Sequence, residues 1–123
     1  MTEEQIALAR RAVACKRWRW MPGMRAVGRN NFPAAWFRVE KFNRRFPDDW
    51  TAALPDLQDP ATLGCLLALV REAWGNPLVG VRGWLSNEEG EDLYEYYEVL
   101  GLDDELTADT EAHALVAALE AAP

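Results

Sequence analysis

Few side chains in this sequence stand in a pattern that catalysis requires. His113 is the only histidine, and its neighbours Ala112, Ala114 and Leu115 offer neither a second metal ligand nor a nucleophile. The carboxylate pairs Asp48 with Asp49 and Asp103 with Asp104 are adjacent in sequence and diverge, whereas acid–base catalysis needs two groups converging on one substrate. Cys15 and Cys65 fall inside predicted helices without local partners; two thiols cannot complete a structural zinc site, and both read as buried, reduced side chains. The glycines around residues 75–80 lack the lysine and spacing of a phosphate-binding loop and follow a helix instead of preceding one. The expectation is a binding protein with no catalytic residue, no metal site and no cofactor.

Two clusters offer binding chemistry. Arg17, Arg19 and Arg25 interleave with Trp18 and Trp20, a combination that can stack a base and hold a phosphate, although tryptophans in a small protein also serve a core. The second cluster runs from Glu88 to Glu111. It holds eleven acids (Glu88, Glu89, Glu91, Asp92, Glu95, Glu98, Asp103, Asp104, Glu105, Asp109 and Glu111) and no lysine or arginine. A fixed array of carboxylates can imitate nucleic-acid phosphates and occupy a basic groove on another protein. The whole chain is polarised in the same sense. Residues 1–46 carry 11 basic against 3 acidic side chains, and residues 47–123 carry 2 against 17.

The elements that must position these residues are read from capping and periodicity. Thr2 with Gln5 forms a capping box that starts a helix, with Ile6, Ala9 and Val13 on its apolar stripe and Leu8 and Ala12 beside it. Trp18–Met21 alternates like a strand, Pro22-Gly23 is a turn pair, Met24–Val27 is a second short strand, and Ala35–Phe42 alternates again, which suggests a hairpin. Residues 43–58 form a proline-broken connection anchored by Phe46, Trp50 and Leu57, with one or two helical turns over Asp48–Leu54. Asp59 caps the central helix, Pro60 occupies its first position, and Gly75 with Pro77 ends it. Leu66, Leu67, Val70 and Trp74 are its predicted buried face, widened by Leu69 and Ala73. Leu78–Leu85 reads as a strand and Ser86–Gly90 as an acidic loop. Leu93–Leu100 fits a strand by its tyrosines and valine or a helix by Leu93, Tyr97 and Leu100, the strand being favoured. Thr107 is the expected cap of a final helix with Ala112, Leu115, Val116 and Leu119 inward. The fold class expected is α+β: a small antiparallel sheet of two hairpins packed with a central helix and N- and C-terminal helices, in a single domain over residues 1–123. The longest apolar run, Leu66–Val70, is far short of the roughly 20 residues of a membrane span, and Met1–Ala14 lacks a signal-peptide layout, so a cytoplasmic protein is expected.

Two stretches, ALARRAVACKRWRWMPGM over 7–24 and LPDLQDPATLGCLLALVREAWG over 54–75, resemble small proteins encoded by bacteriophages and prophages, and the ending TEAHALVAALEAAP over 110–123 is similar to theirs. The chain departs from that group in the acidic segment after Trp84. The resemblance implies a phage origin and transfers no catalytic residue. With the acidic array it implies a protein acting in the cytoplasm of an infected bacterium, inhibiting a host defence protein through a basic surface of that partner. The alternatives are a sponge for a nucleotide immune signal, using Arg17, Trp18, Arg19, Trp20 and Arg25, and a virion or assembly component.

Overall fold

A computed structural model describes residues 2–28, 36–40, 53–86 and 94–123. The architecture is α+β, with N-terminal, central and C-terminal helices and two three-stranded antiparallel sheets. The chain divides into two compact units, Met1–Leu66 and Leu67–Pro123, and the division falls inside the central helix.

In the first unit, α1 (Glu3–Ala14) begins at the expected capping box: the Thr2 hydroxyl accepts from the Gln5 amide at 3.2 Å, and the Gln5 side chain accepts from the Thr2 amide at 2.9 Å. Leu8, Ala9 and Ala12 form its buried stripe. β1 (Arg25–Val27) is the middle strand, with β2 (Trp36–Arg38) on one side and β3 (Leu54–Pro55) on the other. The β1–β2 pairing continues past the strands, since Gly23 donates to the Val39 carbonyl and Val39 to the Met24 carbonyl, both at 2.8 Å. Leu54, expected in a helical turn, is instead in β3, opposite Val27, while Pro55 lies opposite Ala26. A proline fits there because β3 is at the sheet edge, where no donor is needed on its outer side.

The expected strand over Trp18–Met21 does not form. The Trp18 amide bonds to the Cys15 carbonyl at 3.1 Å and the Met21 amide to Met24 Sδ at 3.3 Å, so these donors are taken by local partners and no ladder can be built on them. The Pro22-Gly23 turn is present, with Gly23 at φ 99°.

α2 (Pro60–Trp74) is capped as its sequence dictates: Asp59 Oδ2 accepts from the Thr62 amide at 3.0 Å. It closes in a Schellman arrangement. The Asn76 amide reaches the Arg71 carbonyl at 2.9 Å, the Gly75 amide reaches Glu72 at 3.1 Å, and Gly75 takes φ 62°, a left-handed conformation that favours glycine. Leu66, Leu69, Val70 and Ala73 are buried, whereas Leu67 and Trp74, expected inside, are half-buried. Trp74 remains at the margin because its indole N–H donates to the Ala118 carbonyl at 2.8 Å, and a polar tip is best satisfied at an edge.

In the second unit, β5 (Tyr94–Leu100) is central between β4 (Gly80–Ser86) and β6 (Leu106–Ala108). Leu93–Leu100 therefore resolves as strand from Tyr94 onward; Leu93 lies outside the described residues. Thr107, expected as a helix cap, pairs with Glu98 inside β6, and the cap of α3 (Glu111–Ala121) is Thr110, whose hydroxyl accepts from the His113 amide at 3.1 Å. The helix packs against the sheet and buries Ala114, Leu115, Val116, Ala118 and Leu119; Val79 and Val99 are buried in the same unit. The region 43–52, with Phe46 and Trp50, lies outside the described residues.

Candidate functional site

Sequence alone divides the units by charge. Met1–Leu66 contains 11 basic and 7 acidic residues, a net of +4, and Leu67–Pro123 contains 2 and 13, a net of −11. Their side chains are also used differently.

In the first unit two arginines are paired with carboxylates, Arg25 with Asp56 and Arg38 with Asp59. Arg38 grips Asp59 with both terminal nitrogens, Nη2 reaching Oδ1 at 3.2 Å, and Nη1 also donates to the Gly23 carbonyl at 3.0 Å. Asp59 accepts from the Thr62 hydroxyl at 2.9 Å in addition to capping α2. Thr62 is fully buried, and its hydroxyl accepts from the Arg25 amide at 2.8 Å, so a single carboxylate joins β1, β2 and the start of α2. The Arg38 hydrogen bonds hold the Asp59 carboxyl below its usual range, reinforced by the donors of Thr62, and the same contact pushes the Arg38 guanidinium up.

The sequence-predicted Trp/Arg cluster is split. Trp18 and Trp20 meet edge to face, centroids 5.4 Å apart and planes at 82°, while Arg17 and Arg19 are exposed. Arg25 lies instead over Trp36, 4.2 Å from its ring centroid, with Nε 3.5 Å from Asp56 Oδ2. Cys15 and Cys65 are half-buried thiols outside any disulfide, short of the full burial expected. Burial pushes the Cys65 thiol up, so little thiolate is present at neutral pH.

In the second unit the sheet presents two unlike faces. Because side chains alternate, buried Val99 shares a face with Glu95 and Tyr97, and Tyr97 donates to Glu95 Oε1 at 2.7 Å. That bond is the main cause that raises the Tyr97 phenol above its ordinary range. The other face carries Arg82 and Trp84 from β4 and Tyr94, Tyr96 and Glu98 from β5, with Arg82 opposite Glu98 and Trp84 opposite Tyr96. Trp84 lies between opposite charges: the Arg82 guanidinium is 3.8 Å from its ring centroid, and its indole N–H donates to Glu98 Oε2 at 3.0 Å. This arrangement matches the ring's quadrupole, a cation over the negative face and an anion at the positive edge. The Trp84 and Tyr96 rings are stacked within 15° at 6.5 Å, and Tyr94 continues the row at 5.9 Å from Tyr96, with 47% of its surface exposed.

Of the acids predicted to meet a partner, Glu95, Asp103, Asp104 and Glu105 are exposed and Glu98 is half-buried against Trp84. Glu88, Glu89, Glu91 and Asp92 lie outside the described residues. Among the described residues there is no group of three or more His, Cys, Asp or Glu side chains able to hold a metal, and no helix long and apolar enough to cross a membrane. His113 is half-buried at the α3 cap, its Nδ1 3.3 Å from the Thr110 hydroxyl. The aromatic face escaped the reading from sequence. Its signal was the spacing Arg82-x-Trp84 and Tyr94-x-Tyr96-x-Glu98, which acquires meaning only once the register of β4 against β5 is known.

The sequence matches no protein-family model and no curated protein, and the structure matches no solved structure.

Proposed function

We propose that the chain is a phage-encoded accessory protein that acts in the bacterial cytoplasm and inhibits a host defence protein, its acidic second unit occupying a basic, nucleic-acid-binding groove of that partner. The observation that carries this reading is the concentration of 13 acidic and only 2 basic residues in Leu67–Pro123, with Asp103, Asp104 and Glu105 consecutive and exposed. Carboxylates engaged in a folding network, as Asp59 is, would be spent on stability; these three make no ion pair among the described residues and are available to a cationic surface. The phage origin rests on the sequence resemblance alone. The test is affinity isolation from bacterial lysate with the wild type and with an Asp103→Lys, Asp104→Lys, Glu105→Lys variant, followed by mass spectrometry. The proposal expects a nucleic-acid-binding protein captured by the wild type, displaced by added salt and lost from the variant. Equal capture by both proteins contradicts it. Abundant presence in purified particles would favour a virion component, and nucleotide binding abolished by Trp20→Ala would favour the sponge.

A further inference from the structure

We propose that the Trp84–Tyr96–Tyr94 face of the second sheet is a docking surface for arginine side chains of a basic protein segment. The proposal rests on the acidic-surface reading above and names the contact chemistry of the partner. Three observations converge on it. First, the row of rings is on the surface, with Tyr94 and Arg82 exposed and Trp84 and Tyr96 half-buried, while the buried Val99 belongs to the opposite face. Tyrosine, tryptophan and arginine are the residues that concentrate binding energy at protein interfaces. Second, the face already holds one guanidinium: Arg82 lies over Trp84 at 3.8 Å even though Glu98, its cross-strand partner, is directly opposite. The ring therefore competes with a carboxylate for a cation at this site. Third, the charge is complementary to a cation, since Glu98 lies in the row and the unit carries a net −11.

Arginine fits better than lysine. A guanidinium is planar and weakly hydrated and can lie flat on Tyr94 and Tyr96, whose rings are tilted by 35°, while still donating to carboxylates at its edge; an ammonium gives up more hydration to leave water. Arg82 then has a second role, as an internal occupant that shields one end of the row until a partner arrives.

Isothermal titration calorimetry of the full chain with hexa-arginine and hexa-lysine peptides tests this directly. Both peptides should bind through the acidic charge, with hexa-arginine tighter by roughly threefold or more, the order expected of one or two cation–π contacts. Tyr94→Thr with Tyr96→Thr, substitutions that suit a strand, should erase the preference and leave hexa-lysine affinity nearly unchanged. Tyr94→Phe should retain the preference, and Arg82→Thr should strengthen hexa-arginine binding by freeing the Trp84 ring. Equal affinity for the two peptides, or an arginine preference that survives the double threonine change in a folded variant, overturns the proposal and leaves the acidic-surface reading standing. Failure of both peptides to bind the wild type contradicts both readings.

Discussion

In Met1–Leu66 the carboxylates of Asp56 and Asp59 are paired with arginines, whereas in Leu67–Pro123 those of Asp103, Asp104 and Glu105 face solvent. The first unit joins its strands to the start of α2 through Arg38, Asp59, Thr62 and the Arg25 backbone, a polar network around one carboxylate. The second unit has an apolar interior of valines, leucines and alanines under α3 and leaves Glu95, Asp103, Asp104 and Glu105 exposed. Asp59 and Asp103 are the same chemical group in opposite employment. Where a carboxylate is fully hydrogen-bonded it organises a fold; where it is solvated it contributes little to stability and remains available to a partner.

The largest effects should come from the apolar interiors, where the units are alike. Leu66→Ala and Leu115→Ala, each at a fully buried side chain, should cost about 2–5 kcal/mol in denaturant unfolding. Leu67→Ala should cost less, because Leu67 is only half-buried; a loss equal to that of Leu66→Ala would show that α2 presents a different face inward.

Asp59→Ala comes next and separates the units. The lost helix cap alone costs about 0.5–2 kcal/mol, and the orphaned Thr62 hydroxyl and Arg38 add to it. The triple reversal at Asp103, Asp104 and Glu105 should leave stability nearly unchanged. Comparable destabilisation by the two would erase the distinction between a bonded and a solvated carboxylate.

Dependence on pH sharpens the contrast. The folded Asp59 carboxyl titrates below its ordinary value near about 3.9, so its contribution is present above that value and is lost as pH falls through the lower folded one. Tyr97 is displaced the other way. Its phenol is raised above about 10, so its contribution is present below that value and is lost as pH rises through the folded one. Asp59→Asn should flatten the acid limb of the stability curve, and Tyr97→Phe should produce a smaller change confined to the alkaline limb. Acid sensitivity that persists in Asp59→Asn would place the titrating group elsewhere.

How far the sequence disclosed this division varies by element. α2 was legible to within a residue because Asp59, Pro60, Gly75 and Pro77 each act locally, through a cap, a tolerated proline, a left-handed glycine and a chain break. β3 was hidden because it is two residues long and one is proline; only its partner β1 makes it a strand. The sequence places the cap of α3 at Thr107 instead of Thr110, because only the pairing of Leu106–Ala108 with β5 draws Thr107 into a strand. The Trp18–Met21 alternation misled because a period of two is necessary for a strand but says nothing of the partner. The acids could be listed from composition, whereas the exposure of Glu95, Asp103, Asp104 and Glu105 and the half-burial of Glu98 depend on the fold. The aromatic face could not, since Trp84 and Tyr96 are 12 residues apart and meet only through the register of β4 with β5.

We propose that contact with a basic partner is made by the solvated carboxylates of the second unit. The most direct test is the Kd of the isolated host protein for the wild type and for the Asp103→Lys, Asp104→Lys, Glu105→Lys variant, measured at low and at physiological salt. The variant should lose about tenfold or more in affinity, and the wild-type affinity should fall steeply with salt while the variant's changes little. Equal Kd values for the two proteins, with the same salt dependence, would contradict the proposal.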